Sequence, residues 1–316
     1  MPFSLKRRTV AAAAAFALML LPCLLLAGCS LGQSVEYEVF DEDTAGAIES
    51  ICIDTEVTDV NILFSETAEK ISVKYPEVTD GNGRPANEVK ISLEGGILRL
   101  EERRTLRLFS FFDLDERITV TVPAGRHLNN YELSVETGDV RLADGVKADT
   151  VALTATTGDI TLGSAVVTEG ITLTATTGDI ELSGSVAAEE ISISVTTGDV
   201  DLDSDILANR LRVNGTTSDV TSSGTVKTAL LSVSCTTGDV SFDGVLDAKV
   251  TEIDLTTGNV GLCLIGSKDW YSITAQSTTG DCNVSGGSGE RTVSVESTTG
   301  DVKINFAGLK DPNNNI

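Results

Sequence analysis

From about residue 131 onward the chain alternates apolar and polar residues in short runs, and a recurring Thr-Thr-Gly-Asp string cuts those runs at fixed intervals. The strings ETGDV, TTGDI, TTGDI, TTGDV, TTSDV, TTGDV, TTGNV, TTGDC and TTGDV place their third residue at 138, 158, 178, 198, 218, 238, 258, 280 and 300. The spacing is 20 residues for six steps, then 22, then 20. A fixed period of this length marks stacked repeats. Counted from the glycine, apolar or small residues fall at minus 7, minus 5, minus 3, plus 2, plus 4 and often plus 8. Around Gly158 these are Val151, Leu153, Ala155, Ile160, Leu162 and Val166; around Gly198 they are Ile191, Ile193, Val195, Val200, Leu202 and Ile206. Period two over short runs predicts strands, and the Thr-Thr-Gly-Asp break predicts a tight corner. A single such unit cannot bury its own apolar face, whereas stacked units form parallel strands about 4.8 Å apart with aliphatic ladders inside. The predicted fold is all-β: a single-stranded parallel β-solenoid of about nine 20-residue coils, roughly 40 Å long at that spacing.

The corner aspartates, Asp139 through Asp301, invite two readings. In one, glycine supplies a positive φ and the carboxylate accepts nearby backbone amides. In the other, the row is a calcium ladder. Neighbouring unit charges at strand spacing repel by about 0.9 kcal/mol in water, which a stack tolerates. Asn259 favours the turn, because it keeps the acceptor oxygen and drops the charge. The short calcium-binding repeat of other solenoids has a period of nine, unlike this one. Ser218 replaces the glycine in one unit, at a cost of about 1 kcal/mol if that corner is left-handed. Cys235 at minus 3 and Cys282 at plus 2 read as inward, Cys263 at plus 5 as part of a turn, and Cys52 as part of an early strand. Ala, Val, Leu or Ser fill the equivalent places, so the four read as structural thiols and not a disulfide framework.

Before the repeats, strand-like runs occupy 47–54, 57–64, 71–75, 89–93, 97–101 and 117–122, and Val57-Thr58-Asp59-Val60 looks like a degenerate corner. This segment reads as irregular first coils or a β cap, since an open end exposes unpaired strand edges. Phe109, Phe111 and Phe112 cluster within it, as a plug for the core or an adhesive patch. Arg103, Arg104, Arg107 and Arg117 flank the cluster. They read either as a site for lipid headgroups or an acidic glycan, or as solvated charge balancing Glu101, Glu102 and Asp113. The two-residue insertion between Gly266 and Gln276 holds the only tryptophan, Trp270, beside Tyr271. That pair is a candidate sugar-stacking platform, with loop packing as the alternative.

The chain has 316 residues, 41% of them hydrophobic, enough for a sizeable core, and a formal charge of -24. That balance excludes a nucleic-acid partner, because no basic surface is available to replace phosphate counterions. One histidine, His127, excludes His-cluster metal sites. Lys6-Arg7-Arg8, the apolar run from Val10 to Leu26 and the string Leu26-Ala27-Gly28-Cys29 describe an export signal interrupted by Pro22. The last string resembles the bacterial lipobox, which implies lipidation of Cys29 and a chain held on the extracytoplasmic face of the cell membrane; Cys23 is discarded with the signal. Losing residues 1–28 removes three basic residues and no acid, so the charge becomes -27. The organisation expected is a signal peptide at 1–28, an acidic tether at 29–47, an N-terminal β segment or cap at 48–130, solenoid repeats at 131–306 and a flexible tail at 307–316.

The anchored start, the early IDTEVTDVNI segment and the serial TTGD corners resemble the DUF4097 family of bacterial β-strand-repeat proteins, known as candidate adhesins. The resemblance covers roughly residues 48–306. It implies a right-handed single-stranded β-helix, a surface or envelope location and, in some members, association with envelope-stress systems; it brings no catalytic residues and no cofactor. The function expected is a lipid-anchored, non-enzymatic rod serving adhesion, envelope scaffolding or stress sensing, with an envelope glycan or surface protein as partner. The alternative is a polysaccharide-active β-helix enzyme, a lyase or hydrolase. Such a site needs carboxylates or bases converging where the repeat is broken, whereas these acids recur identically. The ligand, the envelope type and the oligomeric state are not legible.

Overall fold

The computed structural model describes residues 33–38, 48–77, 87–104 and 117–308. Alternation produces strands throughout, and each interior winding contains a long one and a short one, such as Val146–Thr157 and Ile160–Leu162. The long strand changes direction where Asp149 and Thr150 both turn out of the core, so each winding has three straight runs. Every run pairs in parallel with its counterpart in the next winding. Val151 meets Ile171, which meets Ile191, then Leu211, then Leu231. The inward ladders are fully buried and merge into one core. That core has a seventh position per winding, filled by small residues such as Ala148, Ala208 and Ala248, which alternation alone passes over.

One inward assignment is corrected. Val166 is 58% exposed, and Ala165 and Val167 point inward instead. In this winding Val146 pairs with Ala165 at a spacing of 19 residues and Ala165 with Val186 at 21. A slip of one residue exchanges the faces of a strand, and the shift between Ala148 and Thr150 restores the register.

The described residues of 48–130 and the repeats form one continuous stack, and the early segment supplies both irregular coils and a cap. Ser50–Thr55 lies between Leu128–Thr137 and Ile97–Arg104, so the first winding in the chain is second from the end in space. Asp59–Ser65 is enclosed in the same way by Val140–Leu142 and Arg117–Pro123. Antiparallel strands then close this end: Asn87–Glu94 on Ile97–Arg104, and Ser72–Glu77 on Arg117–Pro123. Gln33–Glu38, inside the stretch expected as a tether, pairs antiparallel with Ser72–Glu77, as its alternating QSVEYE sequence permits. Residues 307–308 are likewise held, Ala307 N–H donating to the Leu264 carbonyl at 2.8 Å.

The opposite end repeats the device. Val240–Thr257 is followed in space by Arg291–Thr299, and Tyr271–Thr279 lies outside that. The 22-residue step in the sequence marks this exchange: the chain skips one level through residues 265–270 and returns to fill it. Arg291 fastens the inserted winding, donating to Asp247 at 2.6 Å and to the Ala248 carbonyl at 3.0 Å.

Candidate functional site

The corner shows why two of its residues never vary freely. Gly158 sits at φ +135°, and a Cβ there would lie 2.1 Å from the Gly138 carbonyl oxygen, so windings stack at this point backbone on backbone. Each corner acid except Asp281, the last rung, accepts the amide of the next. The Oδ1 atoms of Asp59, Asp139, Asp159, Asp179, Asp199, Asp219, Asp239, Asn259 and Asp301 take neighbouring N–H groups at 2.7–3.0 Å. The turn reading is therefore the structural role of the row, Val57-Thr58-Asp59-Val60 is its first rung, and Asn259 serves it without charge. The rungs follow spatial order, running from Asn259 to Asp301 to Asp281. Among the described residues no cluster of three or more His, Cys, Asp or Glu side chains could hold a metal ion.

Ser218 is accommodated by a local exchange. Its side chain is buried, and the minus-3 position is Gly215, whose missing Cβ would lie 2.8 Å from the Ser218 Cβ. The lone His127 meets Asp149 at 3.0 Å on the surface. The Thr168 hydroxyl, at 2.7 Å, and this imidazole hold the Asp149 carboxyl below the usual carboxylate range.

The aromatic and basic candidates do not assemble into one site. Tyr271 is buried in the core and its hydroxyl donates to the Ile265 carbonyl at 2.7 Å, while Trp270 is half-buried against Gly266. The pair is loop packing that supports the level skip, not an exposed platform. Arg103 is bound to Asp54, with Glu56 at 4.0 Å, and the Arg104 amide donates to Glu56 at 2.9 Å. Arg103 thus balances acids of its own chain. Phe109, Phe111, Phe112, Arg107 and Cys29 lie outside the described residues.

All four cysteines among the described residues are free. Burial pushes the thiols of Cys52 and Cys235 up. Cys282 is exposed rather than inward, because its winding is the last in the stack and Val302 pairs it on one side only. Cys263 belongs to the strand Val260–Leu264, not a turn.

Beneath the end cap lies an acid that the sequence placed among solvated charges and that the structure buries. Glu102 occupies an inward position with 1% exposure; one carboxylate oxygen accepts the Glu56 amide at 3.1 Å and the other has no partner. Burial raises its pKa above the ordinary value. The outward set of the long strands was passed over, because attention to alternation follows the inward set. Read column by column, it is rich in threonine and serine between residues 152 and 236.

A family model described as Toastrack DUF4097 matches residues 48–205 and again 185–313. No curated protein matches. Among solved structures, a "putative adhesin" from Bacteroides fragilis NCTC 9343 is 11% identical, with 87% of this chain and 98% of that chain covered and a TM-score of 0.44. A "putative cell adhesion protein" from Clostridium sporogenes ATCC 15579 is also 11% identical, covering 87% of this chain and 100% of that chain with a TM-score of 0.22.

Proposed function

The chain belongs to the Toastrack DUF4097 family, and from that premise we propose that it is a lipid-anchored, non-enzymatic rod that presents a binding surface outside the cell membrane. One observation carries the non-enzymatic reading: the repeated acids, the residues most able to serve hydrolysis or lysis, are all engaged by a backbone amide of the neighbouring winding except Asp281, which ends the row. They recur with the winding and do not converge. The anchor reading rests on the Leu-Ala-Gly-Cys string at Cys29. One acyl chain holds a protein only marginally, so firm anchoring requires several chains on that cysteine.

The test has two arms. Cells fed a labelled fatty acid should label the wild-type chain and not Cys29→Ser, and the variant should leave the membrane fraction; equal membrane retention would refute the anchor. Purified chain should capture envelope material without shortening any polysaccharide, and measured depolymerisation would refute the binding-rod reading.

A further inference from the structure

We propose that the outer face of the long strands in five consecutive windings is a docking plane for a neutral, extended polysaccharide. This deepens the binding-rod reading and rests on it. The plane comprises the positions two, four and six residues before each of residues 158, 178, 198, 218 and 238. Of these fifteen positions, twelve are Thr or Ser and only Arg212 is charged, in a chain that is 22% charged. Acids bracket the plane at both ends, Glu132 and Glu136 before it and Glu252 and Asp254 after it. Charge has been kept off one face of an otherwise acidic rod.

The repeats supply their own comparison. Glycine and aspartate recur because the corner needs them. Outward positions without such a duty vary, as where Thr174 is followed in successive windings by Ser194, Asn214 and Ser234. The threonine two residues before the corner is exposed, yet it is unchanged in eight of the nine windings. Among the described residues the hydroxyls of Thr156, Thr176 and Thr196 make no hydrogen bond to the protein, which leaves their donors and acceptors available to a ligand.

In-register parallel strands set these side chains in rows about 4.8 Å apart and columns about 6.6 Å apart. A hydroxyl both donates and accepts, and a threonine methyl packs against the C–H face of a sugar ring. A polyanion is repelled by the bracketing acids, and a polycation finds no carboxylate within the plane. A chain of sugar rings, each about as long as a strand spacing, meets the same groups at every winding. Arg212 rises from an edge column of the plane, in the fourth of its five windings, as a planar donor. It suits a polymer with ring and side oxygens and breaks the uniform surface that a crystal lattice such as ice would require.

The full chain is tested by co-sedimentation with insoluble cellulose and chitin and by retardation in gels containing soluble neutral β-glucan, with alginate as the polyanionic control. Retention on a neutral polymer and not on alginate is expected. Ser194→Glu and Arg212→Ala should each weaken it about tenfold, the loss of one good hydrogen bond, with an unchanged melt. Glu181→Gln, on another face, should bind as wild type. Failure on every neutral polymer, undiminished binding by Ser194→Glu, or shaping of ice crystals would overturn the proposal. Envelope capture is measured in parallel: if wild type and Ser194→Glu capture equally, the plane is refuted and the binding rod stands; if wild type captures nothing, both fall.

Discussion

At the scale of single residues, the serine that breaks the corner pattern is tolerated because a second residue compensates. Ser218 turns inward because Gly215 leaves room, so the two form a coupled pair. Gly215→Ala alone should overpack the core and cost about 1–3 kcal/mol. Combined with Ser218→Gly it restores the pattern of the other windings and should bring stability back to wild type or above. Urea denaturation of the double-mutant cycle checks this, and additive effects would disprove the coupling. Glu102 has no such compensation. Its folded-state pKa is raised, so the folded chain holds its proton more tightly than the unfolded one. Its contribution is most favourable below the ordinary glutamate pKa and is lost as pH rises through the raised value. Glu102→Gln should flatten that limb of the melting temperature against pH; an unchanged slope would place the group in water. Tyr131 is buried with its hydroxyl unpartnered and its ring edge-on to Phe64, so Tyr131→Phe should be neutral or stabilising by about 1 kcal/mol.

At the scale of the corner, chemistry follows from a hydrogen bond and not from charge. Asp199→Asn should leave the melt nearly unchanged, because the Asn259 side-chain oxygen already accepts the Asp301 amide, whereas Asp199→Ala should cost about 1 kcal/mol by orphaning the Asp219 amide. Millimolar calcium or a chelator should move neither value, and a calcium-dependent shift in wild type would revive the cation ladder. The corner was legible in the sequence because nine copies with one Asn and one Ser amount to a mutational series. The exposure of Val166 was not legible. Nothing in GSAVVTEG announces that the strand enters one residue early, and either phase of Ala165-Val166-Val167 offers apolar residues to the core. Trp270 and Tyr271 were visible as a departure from the period, but their direction depends on the level skip, which is a tertiary event.

At the scale of the whole molecule, the period revealed the stack and hid its order. Pairing partners cannot be read from identical repeats, because any TTGD corner could sit on any other; only the 22-residue step hinted at the exchange. The consequence is that both terminal windings lie inside the rod. Ser50–Thr55 and Arg291–Thr299 each have a strand on either side, while Tyr271–Thr279 has one full partner. In a solenoid stacked in chain order, stability would fall toward the termini, since each repeat is held by its neighbours. Here amide exchange should be slow in Val293–Ser297, comparable with mid-stack strands, and faster in Thr274–Thr279, although the latter lies further from the chain terminus. Arg291→Ala, which removes the bond to Asp247, should lower stability by about 1–3 kcal/mol and accelerate exchange in both windings together. Exchange that instead quickens steadily toward residue 308 would mean that the windings stack in chain order and that the inserted winding is not the one holding this end closed.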